Sequence, residues 1–399
     1  MSLHHNPRIV TDGLVLAYDM DNAAKSFKGK PTTNLFDNPV FATGTRAPWS
    51  YQTTANGDNS IDTSFTYEGF NTAKIVRTST GGEANYWVNS SSVVSGDINP
   101  NTEYTFSAYA YSTVSNQAAL FSYFGTQSSG FAFHPGGGKW VRLSHTFTSR
   151  STSPYIQLRM WSDTTTLNTP VYFTKLQLEE GSFATPFVNG TRSNTQALLD
   201  MSKSKNTITA TSLTYNSDGT FEFEGAGGVG AAGDYLSCGN SSDVNFGTGN
   251  FTLSFFANRT ATGYQGGSYV SKGNGTSLGF DFRDSNFYVH GSSGLISSMS
   301  FNPSQNSMNH HTFVFDRSSS PYINYYLNGE YSSSSTTNNS ANIDSSIDTT
   351  RDLDICRSQA GGVNRYFNGT MPIVKLYNRA LTSAEIKQNF HATRRRFGI

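Results

Sequence analysis

The sequence predicts an all-β protein of two jelly-roll or β-sandwich domains, with a short helix near its C-terminal end. Three observations lead there. Period-two alternation of apolar and polar residues recurs along the chain, whereas helical periodicity is almost absent. The 21 Tyr and 29 Phe stand among runs of Ser, Thr, Asn and Gly, the composition of short strands joined by polar turns. A length of 399 residues exceeds what one ordinary core holds, so two domains are expected. No fixed repeat period is present, which disfavours solenoids and propellers, and the long helices of parallel α/β units are missing.

In the first half the clearest strands run over Tyr104–Tyr111, Trp140–Thr148, Tyr155–Trp161 and Val171–Glu179. In the second half they are FEFEG, FTLSFFANR, FYVHG, HTFVFDR, INYYLNGEY, LDICRS and MPIVKLYN. Asn328-Gly329 between strand-like flanks supplies the two positive-φ residues of a type I′ hairpin turn. At the end of the chain Thr382 and Glu385 form a capping-box pattern, and Leu381, Ile386 and Phe390 can share one face of a helix of about two turns.

Lys plus Arg and Asp plus Glu are balanced at 28 each, so no global field draws the chain to nucleic acid or an anionic membrane. No stretch approaches the roughly 18–20 apolar residues that span a bilayer, and MSLHHNPRIVTDG lacks a signal peptide's basic and apolar regions. Synthesis and folding in a cytoplasm are expected, without membrane insertion. Cys238 and Cys356 cannot build a disulfide framework, and neither has a second Cys or a His at metal-ligand spacing, so both read as small core residues.

From Phe246 onward, NFGTGNFTLSFFAN, NHHTFVFDR, YYLNGEY and YFNGTMPIVKLYNRALTSAEIKQNF follow one another in an order that resembles the laminin-G-like, or concanavalin-A-like, jelly roll. The last of these, continued by HATRRRFGI, resembles the ending of structural proteins of tailed phages, particularly those of marine bacteria. The start, Ile9–Ala23, is similar to the opening of the same jelly roll, yet the sequence expected next returns only near Leu198. Between them, TTNLFDNPVF (Thr32–Phe41) and FTKLQLEEGSFATPFVNGTRS resemble the entry and exit of a carbohydrate-binding-module jelly roll. The resemblance therefore implies that 1–30 and 197–399 form one domain and 31–196 an inserted one. Close jelly-roll termini make such an insertion physically cheap. Asn309, standing where an aromatic residue is common, and the long GAGGVGAAGDYLS segment depart from the pattern.

Glycanases of this fold set carboxylates alternately on one strand face. The chain has no E-x-D-x-E pattern; Asp352 with Asp354, and Glu179 with Glu180, are the nearest approach and read as structural or solvated. There is no G-x-S-x-G elbow, and the adjacent His310 and His311 point to opposite faces of a strand, which prevents joint metal binding. Gly225–Gly233 lacks the Lys-Ser/Thr of a phosphate loop, and the sequons at Asn189, Asn274 and Asn368 follow from composition. The resemblance makes a structural calcium conceivable at Asp19, Asp21 and Asp234, but no acidic cluster supports it and no cofactor is expected.

A recognition face is expected on the inserted domain. Ile156, Leu158 and Met160 alternate with Tyr155, Gln157, Arg159 and Trp161, and Phe106, Ala108 and Ala110 alternate with Ser107, Tyr109 and Tyr111. If the polar-aromatic sets share one concave sheet, Tyr109, Tyr111, Tyr155 and Trp161 would stack on sugar C–H faces while Gln157 and Arg159 bond hydroxyls. The competing reading, that these aromatics pack against a neighbouring subunit or under a loop, is favoured for any such surface. Arg394, Arg395 and Arg396 read as a solvated tail or subunit contact, and Met1–Pro7 as a segment ordered only against a partner. The expected function is a non-enzymatic virion subunit of fiber, tail or head-decoration type, homo-oligomeric among other virion proteins, attaching to host-surface glycans. A purely architectural cement subunit is the alternative, and a glycan hydrolase a remote one.

Overall fold

A computed structural model describes residues 8–52, 57–80, 84–89, 98–124, 127–150, 154–161, 166–216, 220–225, 232–260, 267–273, 278–283, 285–359 and 364–399, with backbone alone at 51–52, 84–89, 123–124, 127–129, 154–155 and 283. The chain divides into an outer unit, Met1–Lys30 with Asn194–Ile399, and an inserted unit, Pro31–Ser193. The boundary falls at 193/194 rather than 196/197 because Asn194 is bonded to Ala210 of the outer unit: its carbonyl accepts from the Ala210 amide at 3.2 Å and its side-chain amide donates to the Ala210 carbonyl at 3.3 Å.

The outer unit is a sandwich of two antiparallel sheets. One has six strands in the order Leu14–Asp19, Gly369–Tyr377, Phe251–Arg259, Asn309–Phe315, Ile323–Leu327 and Glu330–Ser334. The other has eight, among them Tyr235–Ser237, Val270–Gly273, Gly279–Arg283, Asn286–Gly291 and Gly294–Ser300. Strand alternation turns Leu253, Phe255, Phe313 and Val374 of the first sheet against Leu236, Val270, Phe282 and Val289 of the second in a single apolar core. Asn328 and Gly329 adopt φ of 50° and 82° and close the tight hairpin their sequence demands.

The opposite face of the six-stranded sheet carries the C-terminal helix, Ser383–Thr393, whose capping box pairs Thr382 with Glu385. At 11 residues it is about a turn longer than expected, since neither Gly nor Pro interrupts the chain before Gly398. Ile386 packs with Val10, Val314 and Tyr377, and Phe390 with Phe256 and Ile373. Burial of a phenyl ring of this size is worth about 1.5–3 kcal/mol. A tight turn over Arg394–Phe397 follows, and there Arg396 grips Asp19 through two bonds of 2.6 and 2.7 Å and also pairs with Asp21. The Arg396 end of the basic run is thus part of the outer domain's own structure, not a free tail.

Leu14–Asp19 pairs antiparallel with Gly369–Tyr377, Ala17 opposite Lys375 and Tyr18 opposite Val374. Asp200, 4% exposed, fastens this strand to the chain that returns after the insertion. Its carboxylate accepts from the Ala17 amide (2.9 Å), the Ser202 amide and hydroxyl (2.8 Å each), and the Asn206 amide and side chain (2.8 and 2.9 Å). Asn206 and Ser202 bond the Val15 carbonyl in turn, at 2.7 and 3.1 Å.

The inserted unit holds two five-stranded antiparallel sheets. The first runs Lys139–Thr148, Glu103–Ser112, Val171–Glu180, Phe70–Arg77, Gly57–Tyr67. The second runs Ser50–Gln52, Ala84–Asn89, Pro154–Met160, Ala118–Phe124, Gln127–Phe133. One core joins them, with Phe106, Ala108, Ala110, Leu143 and Phe173 from the first and Ala118, Leu120, Ile156, Leu158 and Met160 from the second.

Two stability predictions follow from the outer domain. Asp200→Ala strands several buried donors and should cost at least about 3 kcal/mol. Denaturant unfolding followed by circular dichroism should show this loss, while fluorescence of Trp49, Trp87, Trp140 and Trp161, all in the insert, reports an unchanged transition. His310 and His311 are 1% and 2% exposed, and burial pushes both imidazoles down, His311 to about 3. Both are neutral when folded and take up a proton below about pH 6.5 when unfolded. Their contribution is therefore complete above pH 6.5 and drains as pH falls, by up to about 1.4 kcal/mol per pH unit for each. Stability measured from pH 7 to 4 should fall less steeply by about that amount in His311→Gln.

Candidate functional site

The expected recognition residues divide between two sheets. Phe106, Ala108 and Ala110 face the insert's core, as do Ile156, Leu158 and Met160. Tyr109 and Tyr111 therefore lie on the outside of the first sheet, and Gln157, Arg159 and Trp161 on the outside of the second. One concave surface combining them does not exist: the two sets are back to back across a single core. The side chain of Tyr155 lies outside the described residues.

Tyr109 and Tyr111 are half-buried within an aromatic cluster. The Gly57–Tyr67 strand loses register with Phe70–Arg77 between Asp62 and Tyr67, and the excess chain arches. Asp62 shapes the arch by accepting from the Ser64 amide (2.9 Å), the Ser64 hydroxyl (2.7 Å) and the Phe65 amide (2.9 Å). The Phe65 amide bond is the largest influence holding the Asp62 carboxyl below its ordinary value. The arch sets Phe65 5.1 Å from Tyr111 and 4.3 Å from Tyr172, and Tyr67 4.8 Å from both Tyr109 and Trp140. Lys175, turned out of the strand at φ 50°, pairs with Glu68 and lies over the rings of Tyr67 and Tyr109 at 5.3 and 5.4 Å. Tyr109 and Tyr111 thus follow the competing reading, aromatics packed beneath a loop of their own domain.

The other sheet presents a different surface. Phe131 and Phe133, each 39% exposed, lie nearly parallel at 13° with centres 5.6 Å apart. Trp161 stands edge-on to both, at 4.9 Å and 85° from Phe131 and 5.3 Å and 88° from Phe133. Phe121 stacks against Phe131 at 4.7 Å, and the Arg159 guanidinium lies 4.2 Å from the Phe121 ring centre and 5.2 Å from that of Trp161. Gln157 is directly opposite Phe121 on the neighbouring strand, and its buried side-chain oxygen accepts no hydrogen bond among the described residues. Ala119, opposite both Arg159 and Phe133, is fully buried beneath their side. Phe131 and Phe133 were not singled out from sequence, although Phe-Ala-Phe alternation places both rings on one face.

Elsewhere the suspected chemistry resolves into structure. Glu179, 1% exposed, accepts from the Thr185 amide and hydroxyl at 2.8 and 2.7 Å, and Asp354 pairs with Arg357 at 2.8 Å. Burial raises the Asp354 carboxyl to about 6, and the Arg357 charge opposes it. Of the calcium candidates, Asp19 and Asp21 are engaged by Arg396, while Asp234 accepts from the Glu224 amide at 3.0 Å. Among the described residues no group of three His, Cys, Asp or Glu could hold a metal. Cys238 and Cys356 are buried free thiols. His310 faces the C-terminal helix and His311 the inter-sheet core, where its Nδ1 meets the Tyr325 hydroxyl at 2.8 Å. Residues 226–231 of the glycine-rich run, Asn274 and Met1–Pro7 lie outside the described residues. No described helix is long and apolar enough to cross a membrane.

Residues 230–387 match the Concanavalin A-like lectin/glucanases superfamily (Laminin_G_3). No curated protein matches the chain. Among solved structures, the binding domain of botulinum neurotoxin DC is similar over 50% of this chain and 49% of its own, at 12% identity and TM-score 0.36. The CBM22-1 xylan-binding domain of Paenibacillus barcinonensis Xyn10C covers 39% of this chain and 97% of its own, at 12% identity and TM-score 0.29. The tailspike protein 4 enzymatically active domain of bacteriophage CBA120 covers 37% and 22%, at 10% identity and TM-score 0.30. The chain spans about half the length of the neurotoxin domain. The matched residues 230–387 lie in the outer unit, a two-sheet jelly-roll sandwich interrupted near its start by a second β-sandwich.

Proposed function

We propose that the chain is a non-enzymatic attachment protein whose inserted sandwich holds surface glycans on Phe131, Phe133 and Trp161, with the outer jelly roll as scaffold. The observation that carries this reading is the pair of solvent-exposed, parallel phenyl rings against which an indole stands upright. Such rings offer flat apolar area to the C–H face of a pyranose, and Arg159 and Gln157 at their border can bond its hydroxyls. The five strands of this sheet contain no Asp or Glu, which speaks against the two carboxylates that glycoside hydrolysis uses. Single sites of this kind bind weakly, and a homo-oligomeric virion subunit in fiber, tail or head-decoration positions would multiply them when several engage one cell.

A glycan array probed with the full chain tests the reading. Trp161→Ala and Phe131→Ala should each weaken binding about tenfold or more, whereas Trp140→Ala and Tyr109→Ala, on the opposite face, should stay within about twofold. A folded protein that binds no glycan would leave the architectural role as the better account. Loss in Trp140→Ala equal to that in Trp161→Ala would place the site on the wrong face.

A further inference from the structure

Beneath the C-terminal helix the outer domain buries a lysine and a histidine that take no part in the candidate glycan site. Lys375 is 3% and His310 1% exposed, and among the described residues neither the Lys375 ammonium nor the His310 Nδ1 has a hydrogen-bond partner. The two are close enough for the Lys375 charge to help hold the His310 imidazole down, after burial. Lys375 lies directly opposite Ser254, which lies opposite Thr312, so all of them share the helix-facing side of the six-stranded sheet.

The hydrogen-bond chain decides what these groups offer. Thr312 donates to the Ser254 hydroxyl at 3.2 Å, and that hydroxyl, its own proton still free, lies 2.8 Å from His310 Nε2. An imidazole that accepts at Nε2 carries its proton on Nδ1. With the Ser254 proton given to Nε2, the cluster presents two donors, the Nδ1–H and the ammonium, and no acceptor. Burial pulls Lys375 down to about 8, which leaves it charged at neutral pH. The nearby Asp19 carboxylate is occupied, since both its oxygens are held by Arg396. A buried ammonium without an acceptor is costly enough that a partner from outside the chain is expected.

We propose that a single halide-sized monovalent anion binds between Lys375 Nζ and His310 Nδ1, sealed in by the C-terminal helix. Phe390 stacks on His310 at 5.7 Å and Phe397 on Phe256 at 4.6 Å, forming an apolar roof that favours a small, weakly hydrated anion over a larger oxyanion. Anion binding and docking of residues 383–397 are then linked, each favouring the other. The site rests on outer-domain residues alone and stands whether or not the insert binds glycans.

The test is thermal unfolding of the full chain in sodium bromide against sodium gluconate of equal ionic strength. Wild type should melt about 3 °C higher in bromide, and Lys375→Met should show no difference between the salts. Ser254→Ala keeps the lysine charge but releases the imidazole tautomer, and should reduce the bromide effect at least twofold. Trypsin cleavage after Arg394–Arg396 should slow in bromide for wild type and not for Lys375→Met. Equal melting of wild type in both salts, or an undiminished bromide effect in Lys375→Met, overturns the proposal. Should Lys375→Met fail to fold, an undiminished effect in Ser254→Ala overturns it instead.

Discussion

The Asp200 carboxylate holds together two stretches of chain that the insertion has driven more than 160 residues apart in sequence. Ala17 belongs to the edge strand of the six-stranded sheet, and its amide has Asp200 as acceptor where a further strand would otherwise supply one. The carboxylate also bonds Ser202 and Asn206, which bond back to Val15, so the loop is fixed at two points along the strand's free edge. Without this fastening Leu14–Asp19 would lose buried hydrogen bonds along its free edge, and Tyr18, Leu16 and Val15 would be held less firmly in the core. Closing a loop as long as the insert is entropically costly, although the cost grows only slowly with length, and buried charge-assisted bonds are a suitable offset. The outer jelly roll can therefore be whole even though its first strand and its remainder are separated by an entire domain.

Within the insert the governing constraint is that a two-layer sandwich has one inside and two outsides. Each strand that commits alternate residues to the core commits the rest to one of those outsides. Glu103–Ser112 and Pro154–Met160 belong to opposite layers, so their outward aromatics cannot cooperate. The domain treats its two surfaces differently. On one, the Asp62 arch and the Lys175–Glu68 pair cover the rings, which is packing. On the other, Phe131 and Phe133 stay open to solvent next to Trp161, which is an exposure that folding alone does not require.

Strand type and alternation were legible because they depend on neighbours in sequence: Ile156, Leu158 and Met160 do face the core, and Asn328-Gly329 does make the hairpin. The capping box was legible for the same reason, whereas the extra helical turn through Thr393 had no local stop signal to mark it. Pairing of strands into sheets was not legible. Whether Tyr109 and Trp161 share a face depends on which layer each strand joins, a long-range property that periodicity does not encode. The Arg396 clamp was hidden in the same way, because its partners Asp19 and Asp21 lie at the other end of the sequence. The fastening role of Asp200 was hidden too, since an acidic residue in a polar stretch reads as solvated until its five donors are seen around it.

The most direct test of glycan recognition on the exposed phenyl pair follows the four indole N–H signals of the full chain by two-dimensional NMR during titration with a bound glycan. Trp161 lies on the proposed face, Trp140 on the opposite one beneath the arch, and Trp49 in the core at 2% exposure. The account predicts that the Trp161 signal shifts in proportion to occupancy while those of Trp140 and Trp49 remain in place. A shift of Trp140 with Trp161 unmoved would contradict it.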